Sequence, residues 1–484
     1  MSDNTEPSPR IVSAPLAPAV ARFGTPLALG MGLQTAFNLV DAYIIGRLQP
    51  ELAGSALGAI GICDQLAALG SIVSYGLTVA SGALLSRYQG EADPVGVRRI
   101  AIQSLLLVLA LSLLFAAVGV LGAPWLIHDA VGAKGAVAAL SVPYLRVMMG
   151  GSFTIFLLLH LTGILRAIGS SKTPVALLVG ANVLNLVLAI LLVYGPGPAP
   201  ELFAWGPPLA ARLGLPRMEL QGAAWATLIA RAVAILPLGV IVARRFDLLG
   251  SVRRFIPDLA LLRRIANLAW PSSAQLVVRI VAMLFTHALV ARAFTTLSDQ
   301  TATTALGIVF RLETMALFVG LGWGSAAQTF IGQNLGAGQL DRAKQSGWYA
   351  ALFNALMMAA LVVIYYLFGA QIISLFDDDP RILDVALSYI RWVGPSYVAL
   401  GVGVVLGSAI QGAGATRQAL KLDALVVLLI QLPLSAFVVS KAKTPIGLWQ
   451  TVALTYVAFA LVHAYSYSKG NFLRHQVAVT VSEK

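Results

Sequence analysis

RFGTPLALGMGLQTAFNLVDAYIIGRL, Arg22 to Leu48, is apolar over more than the roughly 20 residues that a helix needs to cross a bilayer. Within it stand Gln34, Asn38 and Asp41, four and three residues apart, so all three share one helical face. An ionised carboxylate near mid-membrane costs about 2.5–3.5 kcal/mol on insertion scales. A helix with this stripe must turn it toward other protein or a water-filled cavity. Asp41 is the first residue to which a function can be attached.

The rest of the chain has the same character. Its 484 residues are 58% hydrophobic and 11% charged, with a mean hydropathy of +0.82. Soluble domains carry about 25% charged residues, so the composition describes an all-α polytopic membrane protein. The net charge of +12 is then a property of loops facing an anionic leaflet, not of a nucleic-acid surface. A single cysteine, Cys63, excludes an intrachain disulfide. The N-terminal MSDNTEPSPR is polar and lacks a cleavage-site pattern, which reads as a short cytoplasmic tail.

Twelve runs are long enough to span, near 20–46, 53–82, 99–123, 142–165, 174–194 and 220–243, then 265–292, 302–330, 346–369, 386–410, 420–440 and 447–467. Pro26, Pro143, Pro271 and Pro395 fall near the starts of segments one, four, seven and ten, where helix breaks are expected. Arg and Lys concentrate in the connections after the even segments. One connection on the opposite side holds the acidic run Asp377-Asp378-Asp379. Both termini and the even loops are therefore expected in the cytoplasm. The stretch from Tyr194 to Leu220, rich in Pro and Gly, reads as an irregular cap on the other side.

An internal repeat organises these segments. A shift of 245 residues brings Pro26 onto Pro271, Arg47 onto Arg292, Tyr144-Leu145-Arg146 onto Tyr389-Ile390-Arg391, and RAIGSSK (166–172) onto QGAGATR (411–417). One residue further out of step, SRYQGEAD (86–93) meets GQNLGAGQ (332–339). Six segments per repeat is an even number, so the halves enter the membrane in the same sense and enclose a cavity between them. The expected divisions are a tail over 1–19, an N-terminal lobe over 20–243, a basic cytoplasmic linker over 244–264, a C-terminal lobe over 265–467 and a tail over 468–484. The fold class is two pseudo-symmetric six-helix lobes around a central cavity, the architecture of an alternating-access carrier.

NLVDAYIIGRL in segment one, YLR followed by LRAIGSSKTP, VLN in segment five, GAAWAT in segment six, RLE in segment eight, TFIGQNLGAGQLDRAK and QGAGATR occur in one order along nearly the whole chain. In that order the set resembles the multidrug and toxic compound extrusion (MATE) family. The resemblance implies two lobes around a V-shaped cavity and export of organic, often cationic, compounds in exchange for protons or sodium ions. It also implies that Asp41, Asn38, Asn185 and Thr227 form the cation-coupling site of the N-terminal lobe. Two departures stand out. Ala189 occupies the place where many relatives carry a second aspartate, and Arg279 stands near the place of a segment-seven glutamate in one subfamily.

Hard cations want about six oxygen ligands, whereas Asp41, Asn38, Asn185 and Thr227 bring only one formal charge. A proton needs a single buried carboxylate. The coupling ion expected is therefore H+ at Asp41, with sodium at Asp41, Asn185 and Thr227 as the alternative and no other cofactor. Gln34 and Asn182 would extend the same wet face, or serve as interhelical glue. Asp64 is either a second proton site or the partner of a base such as Arg231. Arg311 and Glu313, two apart, cannot face each other on a helix; they are expected to pair with other helices, with contact to substrate from the cavity wall as the alternative. Arg279 needs a counter-charge or water; it either leans on a carboxylate or lines the cavity and attracts anions. His160 and His287 read as neutral imidazoles bonded to carbonyls. No His, Cys or carboxylate spacing suggests a metal centre or an enzyme.

The expected function is thus a secondary exporter of organic, cationic or amphiphilic compounds. Inward proton flow through Asp41 would drive it, from a monomer in a bacterial inner membrane. Its partners are a small organic substrate and the lipid bilayer, with no nucleic acid. The alternatives are a sodium-coupled exporter, or a lipid-linked oligosaccharide flippase or exporter of anions that uses Arg279. A receptor that has lost transport would tolerate loss of Asp41, and a channel fits two rocking lobes poorly.

Overall fold

The computed structural model describes residues 9–48, 50–247, 255–296, 298–442 and 444–474. Twelve of its helices are long and apolar enough to cross a membrane, and no strand occurs among the described residues. In the N-terminal lobe these are α1 (Leu16–Gly46), α2 (Pro50–Gly90), α3 (Pro94–Ala130), α4 (Gly135–Ala167), α5 (Lys172–Tyr194) and α6 (Glu219–Arg245). The C-terminal lobe has α7 (Leu259–Ala293), α8 (Thr301–Gly336), α9 (Leu340–Ser374), α10 (Pro380–Gly412), α11 (Thr416–Lys441) and α12 (Ile446–Lys469). In both lobes the first helix packs on the fifth, the second on the fourth and the fifth on the sixth.

Three of the helices that overrun their apolar spans are capped at the N-terminus by an aspartate. Asp93 caps α3, its Oδ1 accepting from the Val95 and Gly96 N–H groups (3.0 and 2.9 Å) with Pro94 at the first turn. Asp258 caps α7 through the Leu261 N–H (3.1 Å), and Asp379 of the acidic run caps α10 through the Arg381 N–H (2.9 Å). The connection between the lobes therefore shortens from the expected 244–264 to 246–258, with Arg263 and Arg264 inside α7. Arg253 and Arg254 lie outside the described residues. The expected N-terminal tail is also partly structured. Pro9–Ser13 forms a helical turn with Ile11 buried, and Arg342 at the start of α9 donates to the Ile11 carbonyl (3.0 Å) and to that of Ala14.

Helix breaks obey the repeat better than they obey proline. α1 and α7 run unbroken through Pro26 and Pro271, and α4 runs through Pro143. α4 breaks instead at Gly151, where the Thr154 hydroxyl takes up the freed Gly151 carbonyl (2.8 Å) and Ser152 reaches the Ser112 carbonyl of α3 (3.0 Å). Residue 151 maps onto 396 in the second half, and α10 breaks there, in the tight turn Gly394–Ser396 that contains Pro395. The stretch from Tyr194 is not wholly irregular. It holds a tight turn at Glu201–Phe203 and a short helix, Gly206–Arg212, because Phe203 is buried between the rings of Tyr43 and Tyr194 (centroids 6.2 and 6.1 Å).

The lobes meet along α1, α2, α7 and α8 near the even-loop end. Gly90 of α2 lies so close to Gln333 that a Cβ would sit 2.0 Å from its carbonyl oxygen. Gly336 of α8 lies the same distance from the Arg87 carbonyl oxygen. Each pair maps onto the other under the 246-residue shift, so the contact is isologous within one chain. Ser86 faces Gly332, its own repeat mate, and so sits beside the pseudo-two-fold axis. Small residues let helix backbones approach where lipid supplies no hydrophobic drive between them. Hydrogen bonds also cross between the lobes. Gln333 donates to the Ala167 carbonyl (2.7 Å), Thr329 to the Arg166 carbonyl (3.3 Å) and Ser273 to the Ile72 carbonyl (3.1 Å).

Candidate cation-coupling site and cavities

Asp41 on α1 and Asn185 on α5 face each other across packed helices. The Asn185 amide nitrogen donates to both carboxylate oxygens of Asp41, at 3.0 Å each. One turn further along, the Tyr194 hydroxyl donates to the Ile44 carbonyl (2.7 Å), and this second tie fixes the register of α1 against α5. Asn185 is 8% exposed, and its own Oδ1 has no hydrogen-bond partner among the described residues. A buried acceptor left unpaired costs about 1–3 kcal/mol, which is a reason for a mobile proton or cation to visit.

The carboxylate of Asp41 opens onto a cavity of about 320 Å³ inside the N-terminal lobe. Asp64 enters it from α2, Tyr144 and Ser152 from α4 beside its break, and Thr227 and Arg231 from α6. Thr227 gives its proton to the Ala223 carbonyl (3.0 Å), which leaves its lone pairs toward the cavity. Arg231 acts through space on Asp41, Asp64 and Tyr144, yet among the described residues it forms no ion pair within 4.0 Å. Gln34 and Asn182 are half-buried and line neither this cavity nor the one described next. The side chain of Asn38 lies outside the described residues.

The C-terminal lobe has a second cavity, of about 130 Å³, with Arg279, Thr286, Glu313, Tyr456 and Phe459 among its walls. Arg279 has found its carboxylate. Nε donates to Oδ2 of Asp423 at 2.7 Å, and Asp423 is fully buried. Gln275 donates to Oδ1 of the same carboxylate (2.7 Å), His463 Nε2 lies 3.1 Å from it, and Gln411 in turn donates to the Gln275 carbonyl oxygen. Glu313 is held differently, by the Tyr389 hydroxyl (2.5 Å) and the Tyr456 hydroxyl, both donating. Arg311 lies over the ring of Phe376 (5.5 Å). His287 bonds the Met283 carbonyl of its own helix (3.3 Å) as expected. His160 bonds no carbonyl among the described residues; its Nε2 meets the Ser104 hydroxyl instead, at 2.9 Å.

The two halves of the chain, residues 26–191 and 276–437, each match the MatE family model. The chain belongs to the MatE family. Its members are transporters and not enzymes, and this chain is accordingly a multi-pass membrane protein of a multidrug-efflux family. It is 26% identical over 429 residues to a FAD transporter of Shewanella oneidensis, covering 88% of this chain and 89% of that one. It is 25% identical to the probable multidrug resistance protein YpnP of Bacillus subtilis, covering 92% and 94%. A solved MOP-superfamily transporter from Pyrococcus furiosus, whose binding pocket is described as reversed in polarity, shares the fold with a TM-score of 0.84. It is 23% identical and covers 97% of this chain and 99% of that one.

Set beside other MatE proteins, Ala189 has its physical context. It is 2% exposed in an apolar cluster with Ile190 and Tyr194, so α5 presents only Asn185 to Asp41. Asp423, Gln275 and His463 are the residues that sequence reasoning missed. A membrane arginine demands a carboxylate, and Asp423 sits within the eleventh apolar run, but nothing in spacing links positions 279 and 423.

Proposed function

We propose that this MatE protein is a proton-coupled exporter of organic cations from a bacterial inner membrane, with both termini cytoplasmic and Asp41 as the coupling residue. The observation that carries the reading is the Asp41–Asn185 pair opening on an internal cavity. Asp41 can hold a proton or face a cationic substrate, and one occupant excludes the other. With the amide of Asn185 donating to both oxygens, the ionised form is held ready for either. Protonation cancels the charge that these donors hold and loosens α1 from α5, which releases the substrate outward. Discharge of the proton to the cytoplasm resets the pair.

Sodium is the weaker coupling ion. The cavity offers the oxygens of Asp41 and Thr227, with Asn185 behind Asp41, but Arg231 places a fixed positive charge in the same space. A second reading, export of an anionic compound, is supported by the FAD transporter among the relatives and by Arg279 in the C-terminal cavity. Against it, the charge of Arg279 is already matched by Asp423.

The deciding experiment is ethidium efflux from proteoliposomes under a proton or a sodium gradient imposed separately, for the natural protein and Asp41→Asn. Export driven by protons alone and lost in the mutant is the expected result. Undiminished coupled export by the mutant rejects the mechanism.

A further inference from the structure

Within that reading, and resting on it, one feature of the N-terminal cavity goes unused. Asp64 projects into the space that Asp41 faces, is exposed there, and has no hydrogen bond or ion pair among the described residues. The groups around it are Asp41 of α1, Tyr144 of α4, and Thr227 and Arg231 of α6, with Cys63 beside it on α2. Cys63 is occupied, its thiol directed at the Ser141 carbonyl (3.4 Å). One cation therefore stands opposite two carboxylates, touching neither. A carboxylate inside the membrane without a contacting counter-ion is expensive unless a proton or a bound cation can neutralise it. The orphaned Oδ1 of buried Asn185, next to Asp41, is a separate sign that the site is completed by something that comes and goes.

We infer that Asp64 is a second proton-exchange site, and that Arg231 is a fixed counter-charge which makes the cavity change sign as it loads. With both carboxylates ionised the three groups sum to one negative charge, which suits a monovalent organic cation. One proton makes the empty cavity neutral. Two make it positive, so that it expels the cation rather than merely ceasing to hold it. The exchange then carries two protons inward, one on each carboxylate, for one cation outward. One net positive charge enters per cycle, and both protons leave again to the cytoplasm. A one-for-one exchange through Asp41 alone would be electrically silent. The two-carboxylate cycle is driven by voltage as well as by pH.

The test uses the full chain in proteoliposomes loaded with ethidium. A potassium diffusion potential, negative on the side that corresponds to the cytoplasm, is imposed with no pH difference. Passive ethidium is retained by this potential, so outward movement reports the carrier. Natural protein should export, toward a limit of roughly fifty-fold at 100 mV, the equivalent of 2.3 kcal/mol per charge. Asp64→Asn should lose the voltage-driven export, with any export left under a pH difference carrying no net charge, and Asp64→Glu should retain both. Export by the natural protein under a pH difference but not under voltage overturns the inference, whatever the variants do. So does voltage-driven export that survives in Asp64→Asn. If neither gradient moves ethidium through the natural protein, the underlying proton-coupled reading has failed instead.

Discussion

Arg279 and Asp423, 144 residues apart, meet through a contact of 2.7 Å between Nε and Oδ2, and the carboxylate has no solvent exposure. Removing one member of such a buried pair strands the other, which costs about 3–5 kcal/mol. Arg279→Met and Asp423→Asn are each expected to lower the melting temperature of the detergent-solubilised protein sharply. The double substitution should cost less than the sum of the two. Additive losses would mean that the pair contributes no coupling.

Gly336 and Gly90 hold the lobes together by having no side chain. A methyl group at either would lie 2.0 Å from a backbone oxygen of the opposite lobe, and backbone cannot swing aside. Gly336→Ala should destabilise the clasped arrangement by about 1–3 kcal/mol, and Gly90→Ala should have the same effect. Spin-label distances between the ends of α2 and α8 provide the check. A distance distribution unchanged by either substitution contradicts the close approach.

Ala92 occupies a left-handed backbone conformation (φ 55°), and its mate in the second half is Gly338 (φ 74°). A non-glycine residue in that region costs about 1–2 kcal/mol. Ala92→Gly should accordingly raise the melting temperature with transport unaltered, although the extra freedom of glycine in the unfolded chain returns part of the gain.

Asp258 lies outside the spanning segments, at the cap of α7. The Leu261 N–H and the Arg99 guanidinium (2.5 Å) hold its carboxyl below the usual carboxylate value. A group held low in the folded state contributes stability above its ordinary pKa of about 3.9 and loses it as the pH falls through the folded value. Asp258→Ala is expected to cost about 1 kcal/mol at pH 7. The difference between mutant and natural protein should narrow at pH 3. Equal differences at both pH values would show that the ionised carboxylate is not what stabilises the cap.

The architecture was largely readable from the chain, since twelve apolar runs and a 245-residue self-similarity both survive in the structure. Spans are a local property and repeats a comparison of the chain with itself, and neither needs tertiary knowledge. Helix breaks were less readable. Pro143 carries the usual signal, but the structure breaks eight residues later at Gly151, where hydroxyls from Ser152 and Thr154 are on hand to meet the loosened backbone. Asp41 stood out from the spacing of a polar stripe, whereas Asn185 and Thr227 came from family resemblance. The partner of Arg279 was out of reach, because a contact between α7 and α11 leaves no periodic trace in either helix. Asp64 was visible as an anomaly, and only the cavity sets it beside Asp41 and Arg231.

The crossing of the lobes at Ser86 and Gly332 makes the molecule a lever. At about 1.5 Å per residue, a helix such as α8 extends on the order of 50 Å. Its crossing point lies close to one end, so a rotation of roughly ten degrees there moves the far end by several ångströms while the fulcrum hardly shifts. Little contact would have to be remade at the pivot itself, because glycine backbones can roll where interlocked side chains would jam. The repeat thus supplies a symmetric hinge, while the chemistry proposed to work it is lodged in one arm. Asp41 has a threonine, Thr286, as its mate, so the carboxylate proposed to take the proton has no counterpart at the equivalent place of the other lobe.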